Sequence, residues 1–286
     1  MGTNTKYKDS VFSLLFSDPD LLRELYCALE DVTLPADIPV TINTLQNVFF
    51  QNMMNDISFE IGGKLIVLIE HQSTINENMP LRLLMYIARV YEKIIGDRNI
   101  YATKRVCISR PEFFVLYNGV TPIPNTQILK LSDAFEKVGI MGIPEKENVA
   151  LELEVKVINI NQGENEAILW KSKTLSEYSV FVAKIRELEK RIGDRSRAME
   201  MGIKQCRDNG ILKDFLEKHG TEVINMLMTE WNLDDALAVR FEEGMEQGIE
   251  KGREEIARNA LAQGASVDFV QKITGLDLQA VKSLSP

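Results

Sequence analysis

The stretch that most constrains this chain is Asn55-Asp56-Ile57-Ser58-Phe59-Glu60-Ile61-Gly62-Gly63-Lys64-Leu65-Ile66-Val67-Leu68-Ile69-Glu70-His71-Gln72. Two runs rich in β-branched residues, 55–61 and 65–71, flank a glycine pair, which is the pattern of a β-hairpin. Each run carries an acid where an apolar strand has no use for one: Asp56 opens the first and Glu70 closes the second. Strand side chains alternate with period two, so the two acids share a face only if the turn holds an odd number of residues. A three-residue turn, Gly62-Gly63-Lys64, pairs 57 with 69, 59 with 67 and 61 with 65. One face is then Ile57, Phe59, Ile61, Leu65, Val67 and Ile69. The other is Asp56, Ser58, Glu60, Ile66, Leu68, Glu70 and Gln72. A two-residue turn would send Glu70 to the opposite face. Glycine suits the odd turn, where one residue commonly needs a positive φ. Two carboxylates at one end of a hairpin suit a Mg²⁺ ion, a hard cation that prefers oxygen ligands.

The rest of the chain reads as strand and helix in alternation, which implies a mixed α/β sheet. Residues 9–30 form one or two short helices broken at Ser17-Asp18-Pro19-Asp20, with Ser17 or Asp18 as cap and Pro19 in the first turn. Residues 31–45, with Pro35 and Pro39, read as a loop. A strand is expected at 47–51, others at 104–109 and 112–117, and a clear one at 150–159. Asn78 and Pro80 open a helix over 79–95, for which Leu81, Leu84, Met85, Ala88, Tyr91 and Ile95 supply an apolar stripe. Arg82, Tyr86, Arg89 and Lys93 then line the opposite face, suited to phosphate contacts. Helices follow over 174–192 and through most of 196–231. His219, just before Gly220, reads as the C-terminal residue of a helix.

From about residue 235 the character changes. Gly244, Gly248 and Gly252 recur every fourth residue in an acidic helical segment with a thin apolar edge of Phe241, Met245, Ile249 and Ile256. Interior glycines weaken a helix by roughly 1 kcal/mol each but admit a close partner. Ser266 and Asp277 can cap two short helices around Thr274-Gly275-Leu276, a helix-turn-helix-like hairpin. Its second helix offers Gln279 and Lys282 but no arginine, which suits oligomerisation or regulation better than base reading. The expected division is a domain over 1–195, a helical extension over 196–234 and a connector with terminal hairpin over 235–286.

The net charge of −9 disfavours indiscriminate DNA binding, but the charge is segregated. Residues 98–110 hold Arg98, Lys104, Arg105 and Arg110 without an acid, and 184–197 hold six bases against three acids. Residues 241–255 hold six glutamates. Cys27, Cys107 and Cys206 are isolated, which fits a reducing, cytoplasmic setting and argues against a cysteine zinc site. With only His71 and His219, the chain is poorly supplied for a histidine-rich metal centre or a histidine triad. No apolar run is long enough for a transmembrane helix, and the N-terminus shows no signal-peptide core.

The pattern Asp56-x13-Glu70-x-Gln72 resembles the PD-(D/E)XK nuclease core, with glutamine at the usual lysine position. Beyond it, the chain resembles the recombination-promoting nuclease (Rpn)/transposase family of that superfamily. The segments concerned are Lys8-Asp9-Ser10-Val11-Phe12, Ile69-Glu70-His71-Gln72, Pro80-Leu81-Arg82-Leu83-Leu84-Met85-Tyr86, Val115-Leu116-Tyr117-Asn118-Gly119 and Ile273-Thr274-Gly275-Leu276. The resemblance implies a restriction-endonuclease-like mixed sheet flanked by helices, with a helical C-terminal region. It implies an Mg²⁺-dependent DNA endonuclease, with Mn²⁺ as an alternative metal, acting in recombination, mobile elements or phage defence. Asp56 and Glu70 would bind the metal and the His71 carbonyl would add a ligand. Gln72 would orient water or bond the phosphate, though it cannot supply lysine's charge; a nearby Arg or Lys would compensate. Glu24 or Asp9 would provide a further acid from an N-terminal helix. Arg82, Tyr86, Arg89 and Lys93 would contact DNA, and the C-terminal helices would form a homo-oligomer. The competing reading is a non-cleaving DNA-binding or oligomeric regulatory protein on a degenerate nuclease fold. Each residue also has a plain structural reading, with Asp56 and Glu70 as acids at a sheet rim, Gln72 as a polar strand end and the helix face as solvated.

Overall fold

A computed structural model describes residues 10–42, 56–142, 144 and 149–284. The expected strand at 47–51 and the acid Asp9 lie outside the described residues, as does the side chain of Asp56. The chain divides into two compact units, 1–228 and 229–286.

The first unit is α/β. Six strands are described: β1 (Val40–Ile42), β2 (Asp56–Ile61), β3 (Leu65–Gln72), β4 (Arg110–Tyr117), β5 (Thr126–Lys130) and β6 (Glu154–Asn159). They form one sheet in the order β1-β2-β3-β4-β6-β5. The β1–β2, β2–β3 and β5–β6 pairs are antiparallel, and β3–β4 and β4–β6 are parallel. The hairpin register is the one the odd turn demands: Ile57 opposite Ile69, Phe59 opposite Val67, Ile61 opposite Leu65. Gly62 and Gly63 both take positive φ, 58° and 65°, and Lys64 N–H donates to Ile61 O at 3.1 Å to close the turn.

Helices α1 (Val11–Leu15), α2 (Pro19–Glu30), α3 (Met79–Ile95), α4 (Glu166–Leu169), α5 (Lys173–Ile192) and α6 (Arg195–Asp208) surround the sheet or extend from it. The break between α1 and α2 falls at the expected place. Asp18 is the cap, its carboxylate accepting Asp20 N–H at 2.8 Å. Because β3 and β4 are parallel, the chain must cross back between them, and α3 makes that crossing. Met79, Leu83, Tyr86, Ile87 and Val90 pack on Ile66, Leu68, Phe113, Val115 and Tyr117. On the other face, His71 stacks on Phe12 of α1 and meets the edge of Tyr178 of α5.

Several expectations need correction. The expected stripe on α3 is only partly turned inward: Leu84 and Tyr91 are half-buried against the core, but the rest of the buried arc lies elsewhere. Leu81 and Met85 remain 46% and 49% exposed, and Ala88 is also exposed, while Tyr86, expected on the outer face, is buried in the core. Apolar residues occupy most of the circumference of this helix, so two arcs could have faced inward. The arc through Met79, Leu83, Ile87 and Val90 does. Asn78 occupies the cap position of α3 but makes no side-chain bond there. No strand forms at 104–109; β4 begins at Arg110. The 31–45 segment, read as a loop, contributes the edge strand β1 after Pro39, and β5 was not anticipated. Edge strands need only one neighbour and can be short and polar, so their sequence signal is faint.

Helix α7 (Lys213–Ala262) passes through His219 and Gly220 without ending, which corrects the expected helix end there. His219 Nδ1 instead lies 3.0 Å from Glu222 Oε2. In the second unit, α8 (Val267–Thr274) and α9 (Leu278–Ser283) are capped as expected. Ser266 accepts Phe269 N–H at 3.3 Å and Asp277 accepts Ala280 N–H at 2.8 Å. Ala257, Val270 and Val281 form the small core there. Gly244, Gly248 and Gly252 lie inside α7, and a methyl group added at any of them would meet nothing within 4 Å. No described helix is long and apolar enough to cross a membrane.

Candidate metal and nucleic-acid site

The period-two alternation of β3 sends Ile66, Leu68, Glu70 and Gln72 to the α3 face. Ile66 and Leu68 feed the core; Glu70 stands where that core meets the carboxyl ends of the parallel strands. Asp56 is the direct cross-strand partner of Glu70. Facing residues in an antiparallel pair have Cβ atoms about 4.5–5.5 Å apart, so the two carboxylate-bearing positions are neighbours. Two positions along β2, Ser58 shares their face.

Glu70 is 6% exposed. Arg82, one turn into α3, brings Nη2 to 3.0 Å from Glu70 Oε1. Burial pushes the Glu70 carboxyl above the ordinary carboxylate range, and Arg82 pulls it back down by its charge and hydrogen bond without cancelling the shift. The second oxygen, Oε2, is buried and has no hydrogen-bond partner. Among the described residues, the other buried side-chain polar atoms in that condition are Ser58 Oγ, Gln72 Nε2 and Ser179 Oγ. Three of these four project from one face of the β2–β3 hairpin. Buried polar groups are ordinarily satisfied, and orphans grouped on one face mark a place built to meet something else. The orphaned oxygen of Glu70, with a second carboxylate position opposite, fits a hard divalent cation in donor chemistry. Asp56 and Glu70 are the residues that would hold it. Among the described residues no cluster of three His, Cys, Asp or Glu side chains could hold a metal.

His71 points to the opposite face of the sheet. Its ring lies parallel to Phe12, centroids 4.7 Å apart, and its Nε2 is 3.3 Å from the Tyr178 hydroxyl. Burial, aided by Arg186, lowers its pKa to about 3. The side chain is thus a neutral wall between α1, β3 and α5. Glu24 is engaged at the start of α5: its Oε1 accepts from Ser172 Oγ at 2.6 Å and from Thr174 N–H at 3.2 Å. Along α3, Arg82 reaches Glu70, Tyr86 is in the core, Arg89 is half-buried and Lys93 is exposed.

Sequence reasoning missed a polar group on the neighbouring strand ends. Gln72, Tyr117 and Asn159 stand in one row across β3, β4 and β6. Asn118 N–H donates to Gln72 O at 3.2 Å. Asn161 Nδ2 donates to Gly119 O at 3.0 Å and to Asn159 Oδ1 at 2.9 Å, and its Oδ1 accepts from Arg186 at 3.2 Å. The carboxyl ends of parallel strands are where open α/β sheets bind ligands. The available signal was the Asn159-Ile160-Asn161 alternation at the end of an apolar strand. A separate open groove, lined by Glu30, Tyr91, Glu112, Ile128, Glu154 and Lys156, touches none of Glu70, Gln72 or Arg82.

Comparison with known proteins assigns no family to this arrangement: no family model matches the chain, and neither a curated protein nor a solved structure matches it.

Proposed function

We propose that the chain is a metal-dependent DNA endonuclease of the PD-(D/E)XK type, as its resemblance to the Rpn family implies. The observation that carries this reading is Glu70: a buried carboxylate, opposite Asp56, with one oxygen on Arg82 and the other unpartnered. The mixed sheet flanked by helices, with the two acids on an antiparallel hairpin beside a parallel strand, supports it. Mg²⁺, or Mn²⁺ in its place, supplies Lewis acidity toward the scissile phosphate and activates water.

The chain's own residues have separable tasks. Asp56 and Glu70 supply anionic oxygen. Gln72 is a neutral donor one alternation beyond Glu70, suited to orienting water or bonding a phosphate oxygen. It lacks the charge that lysine would bring, and Arg82, 3.0 Å from Glu70, is the guanidinium offered in its stead. Arginine keeps its charge when half-buried and presents a fork that matches phosphate.

A second reading is a DNA-binding or regulatory protein that does not cut. The same ion pair favours it, since Arg82 already neutralises Glu70. Incubating the purified chain with supercoiled plasmid, in Mg²⁺, Mn²⁺ or EDTA, separates the two. Nicking in either metal, lost in EDTA and lost in Glu70→Ala, is the expected result. DNA left intact in both metals would replace the nuclease by the non-cutting reading.

A further inference from the structure

The most cationic stretch of this acidic chain starts at the candidate site. Residues 79–110 contain Arg82, Arg89, Lys93, Arg98, Lys104, Arg105 and Arg110 against Glu92 and Asp97. That is a net +5 in a chain of net −9, which leaves −14 for everything else. The other basic stretch, 184–197, is half neutralised by its own acids, six bases against three: Lys184 and Arg191 pair with Glu187, and Arg195 pairs with Glu189. In the first stretch, Lys93, Lys104 and Arg105 have no acidic partner among the described residues.

The fold sets the direction of this stretch. At one end of α3, Arg82 contacts Glu70. At the other, Tyr91 Oη donates to Ser109 O at 2.8 Å, and Ser109 Oγ donates to Gly63 O at 3.4 Å beside the hairpin turn. The stretch therefore runs the length of the sheet, from the carboxylate end of the hairpin to its turn. From Arg82 to Lys93 the helix rises about 16 Å. Arg98 then binds the last carbonyls of α3, at Ile94 and at Ile95 (3.1 Å), and so anchors the loop that follows. In that loop Asn99 Oδ1 accepts Tyr101 N–H at 2.9 Å, an Asx turn that Tyr101 closes. Tyr101 is 92% exposed, with Ile100 beside it at 58%, and Lys104 and Arg105 follow within one short turn.

We propose that residues 82–105 form a track for a single-stranded nucleic acid, which leaves the Glu70 site along α3 and ends on Tyr101 as a base-stacking residue. The proposal rests on the nuclease reading for its origin at Glu70, and it adds the strandedness of the substrate and the path it takes. Phosphate charge explains the cations. It does not explain an exposed tyrosine and isoleucine among them, or Leu81 and Met85 uncovered beside Arg82 and Arg89. Single strands present both a charged backbone and open base faces, and proteins hold them with cations and aromatic platforms together. A duplex keeps its base faces stacked inside and would leave Tyr101 idle.

The test is fluorescence anisotropy of the full-length chain with a labelled single-stranded oligonucleotide of about 12 nucleotides, within the usual range of single-strand sites. The buffer contains EDTA, so binding is read without cutting, and the matching duplex is measured alongside. Tyr101→Ala is expected to weaken single-strand binding by about 10-fold with the salt dependence unchanged, while Tyr101→Phe binds as wild type. The double variant Lys104→Ala, Arg105→Ala is expected to flatten the slope of log affinity against log salt by about 1.4, two phosphate contacts' worth. All three positions are surface sites, so folding is not at stake. Equal wild-type affinity for duplex and single strand, unchanged binding in both alanine variants, or no oligonucleotide binding at all, as for a track that serves a protein partner, would overturn the proposal. The plasmid assay keeps the two readings apart. Tyr101-dependent binding without cutting removes the nuclease and leaves the track; cutting with Tyr101-independent binding does the reverse.

Discussion

Glu70 and His71 are adjacent in sequence and meet opposite fates, because strand alternation sends them to opposite faces. Glu70 meets an arginine and keeps a free oxygen; His71 meets two aromatic rings. Replacing either Asp56 or Glu70 by alanine is expected to bring plasmid nicking below about 1% of wild type, the scale of loss when a group that stabilises transition-state charge is removed. Circular dichroism should show both variants folded, since a carboxylate supplies no apolar volume to the core; cutting at the wild-type rate would remove the residue from the site. Gln72→Lys should retain part of the activity.

His71 makes a pH prediction. Its folded pKa, about 3, lies below the ordinary histidine value of 6.5. The unfolded chain therefore binds the proton first, and the contribution of neutral His71 is full above pH 6.5. It is lost as pH falls from 6.5 toward 3. That interval corresponds to about 5 kcal/mol at most. His71→Phe keeps an aromatic face against Phe12 and cannot titrate. In EDTA, its loss of thermal stability between pH 7 and pH 4 should be smaller than that of wild type. Identical losses would mean that the acid sensitivity originates elsewhere.

At the scale of elements, the site depends on how closely the ends of β3 and β4 approach. Gly119 follows β4, and a Cβ there would lie 1.8 Å from Ser73 O and 2.4 Å from the Tyr117 hydroxyl. Neither neighbour can yield easily. Ser73 directly follows Gln72, and the Tyr117 hydroxyl donates to Thr121 O at 2.8 Å. Gly119→Ala is expected to cost about 3 kcal/mol or more, at the upper end of overpacking effects, and to displace Gln72. Urea unfolding measures the first effect; a midpoint within error of wild type would show that the strand ends can part. The α5–α6 contact is similarly close, since a Cβ on Gly202 would lie 2.7 Å from an Ile185 side-chain carbon.

For the whole molecule, the open question is what the second unit is for. Its core is three buried side chains, Ala257, Val270 and Val281, while Met245, Ile249, Ile256, Phe269 and Ile273 stay more than half exposed. A homo-oligomer formed through this region would cover them. Removal of residues 235–286 is then expected to lower the mass seen by light scattering while the hairpin site stays folded. Equal monomer masses before and after removal would exclude self-association. Alanine at Gly244, Gly248 and Gly252 sharpens the result. A helix with no partner should gain roughly 1 kcal/mol per site, whereas a close helix pair should be disrupted.

What the sequence determined by itself was local. Period-two alternation and an odd glycine turn settle the β2–β3 register, and with it the placement of Asp56 opposite Glu70. Short-range hydrogen bonds settle the caps at Asp18, Ser266 and Asp277, because donor and acceptor are two or three residues apart. Tertiary structure decided whatever depended on a distant partner. Helix α3 has apolar residues on more than one arc, and only the wall of Ile66, Leu68, Phe113 and Val115 selects the arc with Tyr86, leaving Leu81 and Met85 outside. Glu24 was a free acid on a helix until Ser172, 148 positions later, took its oxygen. Arg82 was one cation of a stripe until the parallel crossover set it beside Glu70. Hydrogen bonds and alternation within a few residues are written into the chain; which surfaces meet is settled only when the whole sheet and its helices bury their apolar area together.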